Sequence, residues 1–141
     1  MSVVPSQILY LEHGSSRLYA EAIQIVSNRQ VCWARPTLLI QNLPEKGTPT
    51  VRQAVIAEAA ASFDSSSLQL YDLEGAPDLI WPIDPFNIAY DLDFFSLIVQ
   101  IKMLPERDAQ QSRRQLNQFI RSFWHEHSET FHFTPASERY S

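Results

Sequence analysis

Residues 17–40 read RLYAEAIQIVSNRQVCWARPTLLI, and this stretch decides the fold. Two runs rich in β-branched and aromatic residues flank a short polar break at residues 27–30. Apolar runs on both sides of such a break are typical of a β-hairpin. We therefore predict two long strands at 17–26 and 31–40. Because Pro36 cannot donate a hydrogen bond within a sheet, it predicts an edge, a bulge or a bend in the second strand.

Shorter apolar runs outside the hairpin complete the predicted sheet. Residues 7–12 precede a turn at Gly14, and residues 68–73 and 78–81 follow later in the chain. Strands come first and helices last, which is the order of an α+β protein. The sequence therefore predicts a small, strongly bent, five-stranded antiparallel sheet or an SH3-like barrel, followed by C-terminal helices.

Helices are predicted at four places. Alanine-rich residues 51–61 favour a short helix, and Asp84 followed by Pro85 favours a helical turn, since aspartate caps helices and proline suits their first position. A third helix, capped by Asp91 or Asp93, runs to residue 103. Its residues are apolar nearly all round, which predicts burial within the chain or beneath a partner.

The last predicted helix starts at Pro105, with acidic residues in its first turn. It has an apolar stripe at helical spacing, formed by Leu116, Phe119, Ile120, Phe123 and Trp124. With 141 residues, the chain is predicted to form one domain over 1–141. Residues 42–67 are interpreted as an insertion or mobile connection, and residues 128–141 as a loose tail.

Bulk composition places the chain among globular proteins. It is 45% hydrophobic and 19% charged, a balance that excludes a disordered chain. The single cysteine, Cys32, excludes an internal disulfide and fits a reducing compartment. The N-terminus lacks a basic region before an apolar run, and the longest apolar run, 94–103, is too short to cross a bilayer. These features predict a cytoplasmic protein without a membrane span.

Charge is distributed unevenly along the chain. Residues 53–101 contain eight acidic side chains and no basic one, whereas the net charge of the whole chain is −5. An acidic face favours a basic partner and repels nucleic acid. The alternative is that these carboxylates are solvated loop residues that only promote solubility.

Residue patterns for catalysis or cofactor binding are weak. With three glycines, the chain excludes phosphate-binding and nucleophile loops of the glycine-rich type. Histidines and glutamates at 125–132 lie where the last helix is predicted to fray, and a zinc site needs a rigid scaffold. Cys32 lies inside a predicted strand, as a small buried hydrophobe does. We predict no catalytic residue, no metal and no cofactor.

Several short segments resemble known proteins: LYLEH at 9–13, RLYAE at 17–21, RQVCWARP at 29–36 and DLIWP at 78–82. They are similar to small proteins of unknown function from cyanobacteria. The resemblance covers residues 7–40 and 68–95. It implies a cytoplasmic setting in a photosynthetic bacterium and transfers no catalytic residue.

Three functions fit the sequence, and we rank first a non-enzymatic protein-interaction, assembly or regulatory factor. Its partner is another protein or a second copy of the chain. The second is a small-barrel nucleic-acid-binding protein that uses the arginines, although the acidic middle disfavours nucleic acid. The third is an enzyme that uses the acidic loops at 72–93. The candidate interaction surface comprises Arg17, Arg29, Arg35, Asp72, Asp78, Asp84, Arg113 and Arg114.

The hairpin arginines leave two arrangements open. They meet the carboxylates of residues 68–93 within one sheet and neutralise them, or the two groups lie on opposite sides and polarise the molecule.

Overall fold

The predicted hairpin is the centre of the sheet in the computed structural model, which describes residues 3, 5–44, 49–90, 92–104 and 108–127. Strand β1 spans Ile8–His13, β2 spans Ser16–Val26 and β3 spans Val31–Gln41. One 3-10 turn, Ser27–Arg29, joins β2 to β3. The hairpin turn ends at Gln30, whose φ of 55° is left-handed. The alternation of residues along β2 and β3 thus produces the predicted antiparallel pair.

Three short strands complete an open, six-stranded antiparallel sheet. They are β4 (Gln69–Asp72), β5 (Leu79–Pro82) and β6 (Asn87–Ile88). The order of the strands is β4-β3-β2-β1-β6. Strand β5 lies on the same side of β3 as β4 and pairs with residues 31–34 of β3. The predicted α+β class, with an antiparallel sheet followed by helices, is confirmed. The sheet has one strand more than expected. It does not close into a barrel, because β6 lies at one edge, and β4 and β5, which each pair with β3, lie at the other.

The helical turn predicted at Asp84 is wrong. Residues 84 and 85 occupy a β-turn that the Phe86 N–H closes on the Ile83 carbonyl at 2.9 Å. The chain then pairs as β6 with Leu9 and Tyr10 of β1. Asp-Pro suits a turn as well as a helix start, and the free edge of β1 selects the turn.

A bulge beside Pro36 divides β3 into two courses, as the proline predicted. Residues 31–34 pair with β5, and residues 38–41 pair with β4. Opposite, Tyr19 pairs with Leu38 and Ala20 pairs with Pro36, so Thr37 is the extra residue. The Thr37 hydroxyl donates to the Tyr19 carbonyl at 3.0 Å. One strand thereby serves two neighbours.

Three helices follow the expected order. Helix α1 spans Pro49–Ala61, α2 spans Asp93–Lys102 and α3 spans Ala109–Glu126. Helix α3 is capped by Asp108, which accepts from the Gln111 N–H at 3.1 Å. The predicted start at Pro105 lies outside the described residues. Leu92 is the N-cap of α2, so Asp93 lies in the first turn rather than at the cap. Asp91 is outside the described residues.

The helices cover both faces of the sheet and create two cores. On one face, Leu116, Phe119 and Phe123 of α3 pack with a cluster that includes Leu18, Ala20, Cys32, Ala34 and Trp81. On the other, α1 and α2 pack through Ile56, Ala59, Phe94, Leu97 and Ile101 against Tyr19, Leu38 and Ile40. Because successive residues of a strand point to opposite faces of the sheet, β2 and β3 each contribute side chains to both cores. The result is three layers: α3 on one side, the sheet in the middle, and α1 and α2 on the other side.

The domain assignments stay predictions. Within residues 42–67, α1 contributes Ile56 and Ala59 to the second core. Residues 128–141, interpreted as a loose tail, lie outside the described residues.

Candidate interaction surface

Helix α2 exposes a row of large apolar side chains, which we call the α2 stripe. Leu92 is 75% exposed, Phe95 52%, Val99 49% and Met103 67%. Their spacing of three and four residues places them on one face of the helix. Phe94, Leu97 and Ile101 occupy the opposite face and are buried in the core. The described part of the chain therefore covers one half of the helix that the sequence predicted to be buried or covered by a partner.

One flank of α2 is fastened to α1. Buried Gln100 donates from Nε2 to the Ala59 carbonyl at 3.1 Å, and the Ser96 hydroxyl donates to the Ala60 carbonyl at 3.1 Å. These are among the last carbonyls of α1, which have no partner within their own helix. Near the start of α2, Gln53 donates to Asp93 at 3.2 Å. Hydrogen bonds at both ends hold α2 in position, so the α2 stripe lies on a rigid support.

A pocket of about 230 Å³, the α2 pocket, lies along the other flank. Its floor combines the β3 bulge with α2, through Pro36, Thr37, Phe94 and Ile98. Its rim consists of Gly75 and four charged residues: Arg35, Asp72, Glu74 and Lys102. The floor is thus apolar and the rim charged, which is the usual pattern of a small binding site.

Ion pairs hold the charged rim. Lys102 Nζ lies 2.9 Å from Asp72 and also bonds to Glu74. Partial burial acts to lower the pKa of Lys102, but the hydrogen bonds that it donates to Glu74 and Asp72 outweigh the burial and raise the pKa. Asp72 also accepts from the Glu74 N–H at 3.0 Å. Lys102 therefore stays charged, with its ammonium held beside the pocket.

Beyond the pocket, part of the sheet is left open by the helices that the structure describes. Trp33 of β3 and Ile80 of β5 form a cross-strand pair and are both exposed. The Trp33 indole N–H donates to Asp78 at 2.8 Å, and Arg35 Nε donates to the same carboxylate at 3.2 Å. These hydrogen bonds, that from Arg35 first, lower the pKa of Asp78. Arg35 therefore meets the acidic segment within the sheet, which is the first of the two arrangements left open.

The layers differ in charge among the described residues. Helix α1 carries Arg52 and Glu58, and α2 carries Asp93 and Lys102, so their charges balance. The acidic excess on this side comes from Asp64 after α1 and from Asp72 and Glu74, which lie against Lys102. Helix α3, across the sheet, carries Arg113, Arg114 and Arg121 and one acidic residue, Glu126. The α2 stripe therefore lies in the acidic layer, and the molecule is also polarised across the sheet.

The predicted surface residues do not share one surface. Arg17 is only 2% exposed and lies inside the molecule. Its guanidinium is 2.6 Å from Glu12, donates to Gln53 at 2.9 Å and lies 4.0 Å from the centre of the Tyr10 ring. We therefore correct its assignment: Arg17 joins the β1–β2 hairpin to α1. A guanidinium enters the interior only when its donors are satisfied, and one of these partners, Gln53, is 36 residues away in the sequence.

The other predicted residues are scattered. Arg113 and Arg114 are exposed on α3, Arg29 is exposed at the hairpin turn and Asp84 is exposed in the turn before β6. Of the eight, Arg35 and Asp72 line the α2 pocket, and Asp78 pairs with Arg35. The α2 stripe itself was not among the predicted site residues. The sequence signal for it was the apolar character of α2 on all sides.

Two side chains with catalytic potential, Cys32 and His13, pack against the interior of the protein. Cys32 is buried, and burial raises the pKa of its thiol, which opposes the thiolate that a nucleophile needs. His13 Nδ1 is 3.5 Å from Glu126 and the His13 ring meets Phe119 edge-on. Within the part of the chain that the structure describes, no group of three or more His, Cys, Asp or Glu side chains is arranged to hold a metal ion. Glu129 and His132 lie outside that part.

Among the described carboxylates of the acidic loops, Asp72 and Glu74 share Lys102, and Asp78 binds Arg35. Asp72 ends β4, whereas Asp78 lies in the connection before β5. Since each of these carboxylates is paired with a cation, their geometry favours a role in ion pairing over joint acid–base catalysis.

Comparison with protein-family models, with curated proteins and with solved structures finds no significant match. The similarity to small cyanobacterial proteins stays a prediction. Over the ranges that the structure covers, no helix has the length and apolar character to cross a membrane.

Proposed function

We propose that the protein is a non-enzymatic interaction module that docks another protein on the α2 stripe. The observation that carries the proposal is the exposure of Leu92, Phe95, Val99 and Met103 in one row on a fixed helix. Together they expose an apolar area on the order of several hundred Å², the size at which patches on monomers mark binding sites. A partner that covers these side chains would remove their apolar surface from water, and this burial would contribute favourably to the free energy of binding.

Charge around the α2 stripe favours a different protein over a second copy. A two-fold dimer places the same patch against itself, so the acidic layer of one copy would face that of the other. Like charges brought together disfavour such a contact. A segment with apolar anchors flanked by lysines or arginines meets no such penalty. The proposed occupant is therefore a basic amphipathic helix lying along α2.

Nucleic-acid binding has less support. Arg17 is buried, and Arg35 is paired with Asp78. The exposed arginines that share one element are Arg113, Arg114 and Arg121 of α3, fewer than the roughly six to ten phosphate contacts of a typical site. A phosphate backbone requires several basic groups along one surface.

We further propose a cytoplasmic location. It is supported by a cysteine that is free and buried and by the absence of a second cysteine in the sequence.

Two synthetic peptides of opposite charge test the docking surface. Both are amphipathic helices with leucine on one face, and one carries lysine and the other glutamate on the polar face. Binding is followed through backbone amide shifts of the isotope-labelled protein. We expect the lysine peptide to bind at least about tenfold more tightly than the glutamate peptide, with the largest shifts along α2.

Variants make the test specific. Phe95→Ser is expected to weaken binding of the lysine peptide by about tenfold or more, because it removes the largest anchor of the stripe. Trp124→Ser is the matched control, since Trp124 is an exposed aromatic residue of α3, 47% exposed against 52% for Phe95. Equal binding of the two peptides, or equal loss in the two variants, would refute the proposal.

A further inference from the structure

The docking of a helix along the stripe does not by itself use the α2 pocket. The pocket nevertheless lies directly beside the stripe, where a docked partner can reach it. We propose that it accepts one aromatic side chain of the partner. This inference rests on the proposed docking function and specifies the partner further. It adds an anchor at a separate place, between the β3 bulge and the flank of α2 formed by Phe94 and Ile98.

The geometry of α2 connects the pocket to the stripe. Phe95 of the stripe and Phe94 of the pocket floor have ring centroids 5.2 Å apart. Ile98 and Lys102 follow one and two helical turns after Phe94, which continues the pocket wall along the same flank. The opposite flank is closed by the hydrogen bonds to α1. A segment lying on the stripe can therefore insert a side chain on the pocket side only.

Size and chemistry select the side chain. A pocket of about 230 Å³ holds one side chain and is too small for a drug-sized ligand, whose sites begin at about 300 Å³. Its floor is made of Pro36, Phe94 and Ile98, which favours an apolar group. Arg35 and Lys102 place two cations on the rim. A cation near the face of an aromatic ring is attracted by the ring quadrupole, whereas an aliphatic group gains nothing from it.

The rim cations are held in place by neighbouring carboxylates. Lys102 is fixed by Asp72 and Glu74, and Arg35 is fixed by Asp78. On the rim itself Asp72 and Glu74 balance Arg35 and Lys102, and Asp78, bound to Arg35 outside the pocket, adds one further carboxylate. The surroundings of the pocket therefore have a small acidic excess, which admits an aromatic side chain next to a lysine or arginine, in agreement with the basic occupant proposed for the stripe.

The pocket is tested with small probes that need no stripe. N-acetylphenylalanine amide is titrated into the labelled protein, and N-acetylcyclohexylalanine amide is its aliphatic counterpart. We expect the phenylalanine probe to shift the amides of Arg35, Thr37, residues 72–75 and Ile98 and to bind several-fold more tightly than the cyclohexyl probe, as a cation–π contribution of about 1 kcal/mol implies.

Two variants check the assignment. Ile98→Phe fills the pocket and is expected to abolish the shifts, whereas Val51→Phe, the same kind of change at an exposed position of α1, leaves them. Lys102→Gln removes one of the two rim cations and is expected to reduce the preference for the aromatic probe, with Arg35 left as the second cation. Since Lys102 is partly exposed, this variant remains informative if Ile98→Phe does not fold.

The outcomes separate this inference from the docking proposal. Absence of shifts at the pocket residues, or an unchanged preference in Lys102→Gln, overturns the aromatic anchor even if the lysine peptide binds the stripe. Binding of the phenylalanine probe at the pocket with no binding of the lysine peptide overturns docking on the stripe and leaves the pocket as a separate site.

Discussion

Arg17 shows how much a single side chain can depend on residues far away in the sequence. Its charge is compensated by Glu12 on the neighbouring strand, which also binds Arg52 of α1 at 3.1 Å. The Arg17 guanidinium also donates to the Tyr19 hydroxyl at 3.1 Å. Burial acts to lower the pKa of Arg17, but Tyr19 and Glu12 outweigh it and raise the pKa. The arginine is therefore a charged, internally satisfied link between sheet and helix.

Replacing Arg17 with methionine should strongly destabilise the fold. The change leaves the remaining polar groups without their central partner, and removing one member of a buried ion pair costs about 3 kcal/mol or more. Urea unfolding measures the loss. Arg113→Met on the exposed face of α3 is the control and should change the free energy of unfolding by less than about 0.5 kcal/mol. Similar effects for the two variants would mean that Arg17 is not structurally important.

Asp78 should make the stability of the fold depend on pH. Hydrogen bonds from Arg35 and Trp33 lower the pKa of Asp78 in the folded state. A carboxylate with a lowered folded pKa stabilises the protein above its unfolded pKa of about 3.9, and the contribution is lost as pH falls through the folded value. Asp78→Asn should therefore be slightly less stable than the wild type at neutral pH.

The difference between Asp78→Asn and wild type should disappear in acid. Once Asp78 of the wild type is protonated, neither protein has the charge. Urea unfolding at a series of pH values measures the difference directly, and Asp84→Asn, in an exposed turn, is the control. A difference that grows as pH falls would contradict a stabilising role for the ionised Asp78 carboxylate.

At the scale of secondary structure, the bulge in β3 determines which side chains enter which core. Leu38 and Ile40 point to the α1–α2 core, and Leu39 points to the α3 core. The bulge residue, Thr37, also offers its carbonyl to the Leu73 N–H at 3.0 Å. The extra residue therefore fixes both the register of β3 and the start of the connection after β4.

Deleting Thr37 should destabilise the fold while leaving both cores in place. Ala34 and Leu39 enter the same core on either side of the bulge, so removal of the extra residue between them restores regular alternation with the same faces. The deletion loses both hydrogen bonds of Thr37, to the Tyr19 carbonyl and from the Leu73 N–H, and should cost about 2 kcal/mol in urea unfolding. Thr37→Ala removes only the bond to Tyr19 and should cost about 1 kcal/mol. A deletion variant as stable as Thr37→Ala would show that the bond to Leu73 contributes nothing to stability.

Local pattern was sufficient to predict most elements. The hairpin, the bend at Pro36 and the apolar stripe of α3 all depend on residues close together in sequence, and each is present. Strand β6 was not predicted because its two residues, Asn87 and Ile88, carry no periodic signal. They form a strand only because the edge of β1 lies beside them.

At the scale of the whole molecule, the three layers separate two charged surfaces. The arginines of α3 lie on one side of the sheet, and the excess carboxylates Asp64, Asp72 and Glu74 lie on the side of α1 and α2. Arg35 and Asp78 are paired within the uncovered part of the sheet. Both arrangements considered for the charges therefore occur, for different residues. An acidic layer around an apolar helix face is what gives the proposed partner its basic character.

The sequence by itself determined the α+β class, the positions of the long strands and helices, and the apolar character of α2. These follow from periodicity and turn residues, which act over a few positions. Only the tertiary structure decided which half of α2 faces outward, that Arg17 is buried, and that Arg35 and Lys102 stand at the rim of one pocket. Each of these depends on contacts between segments separated by tens of residues, and such contacts are set by packing of the whole chain rather than by local propensity.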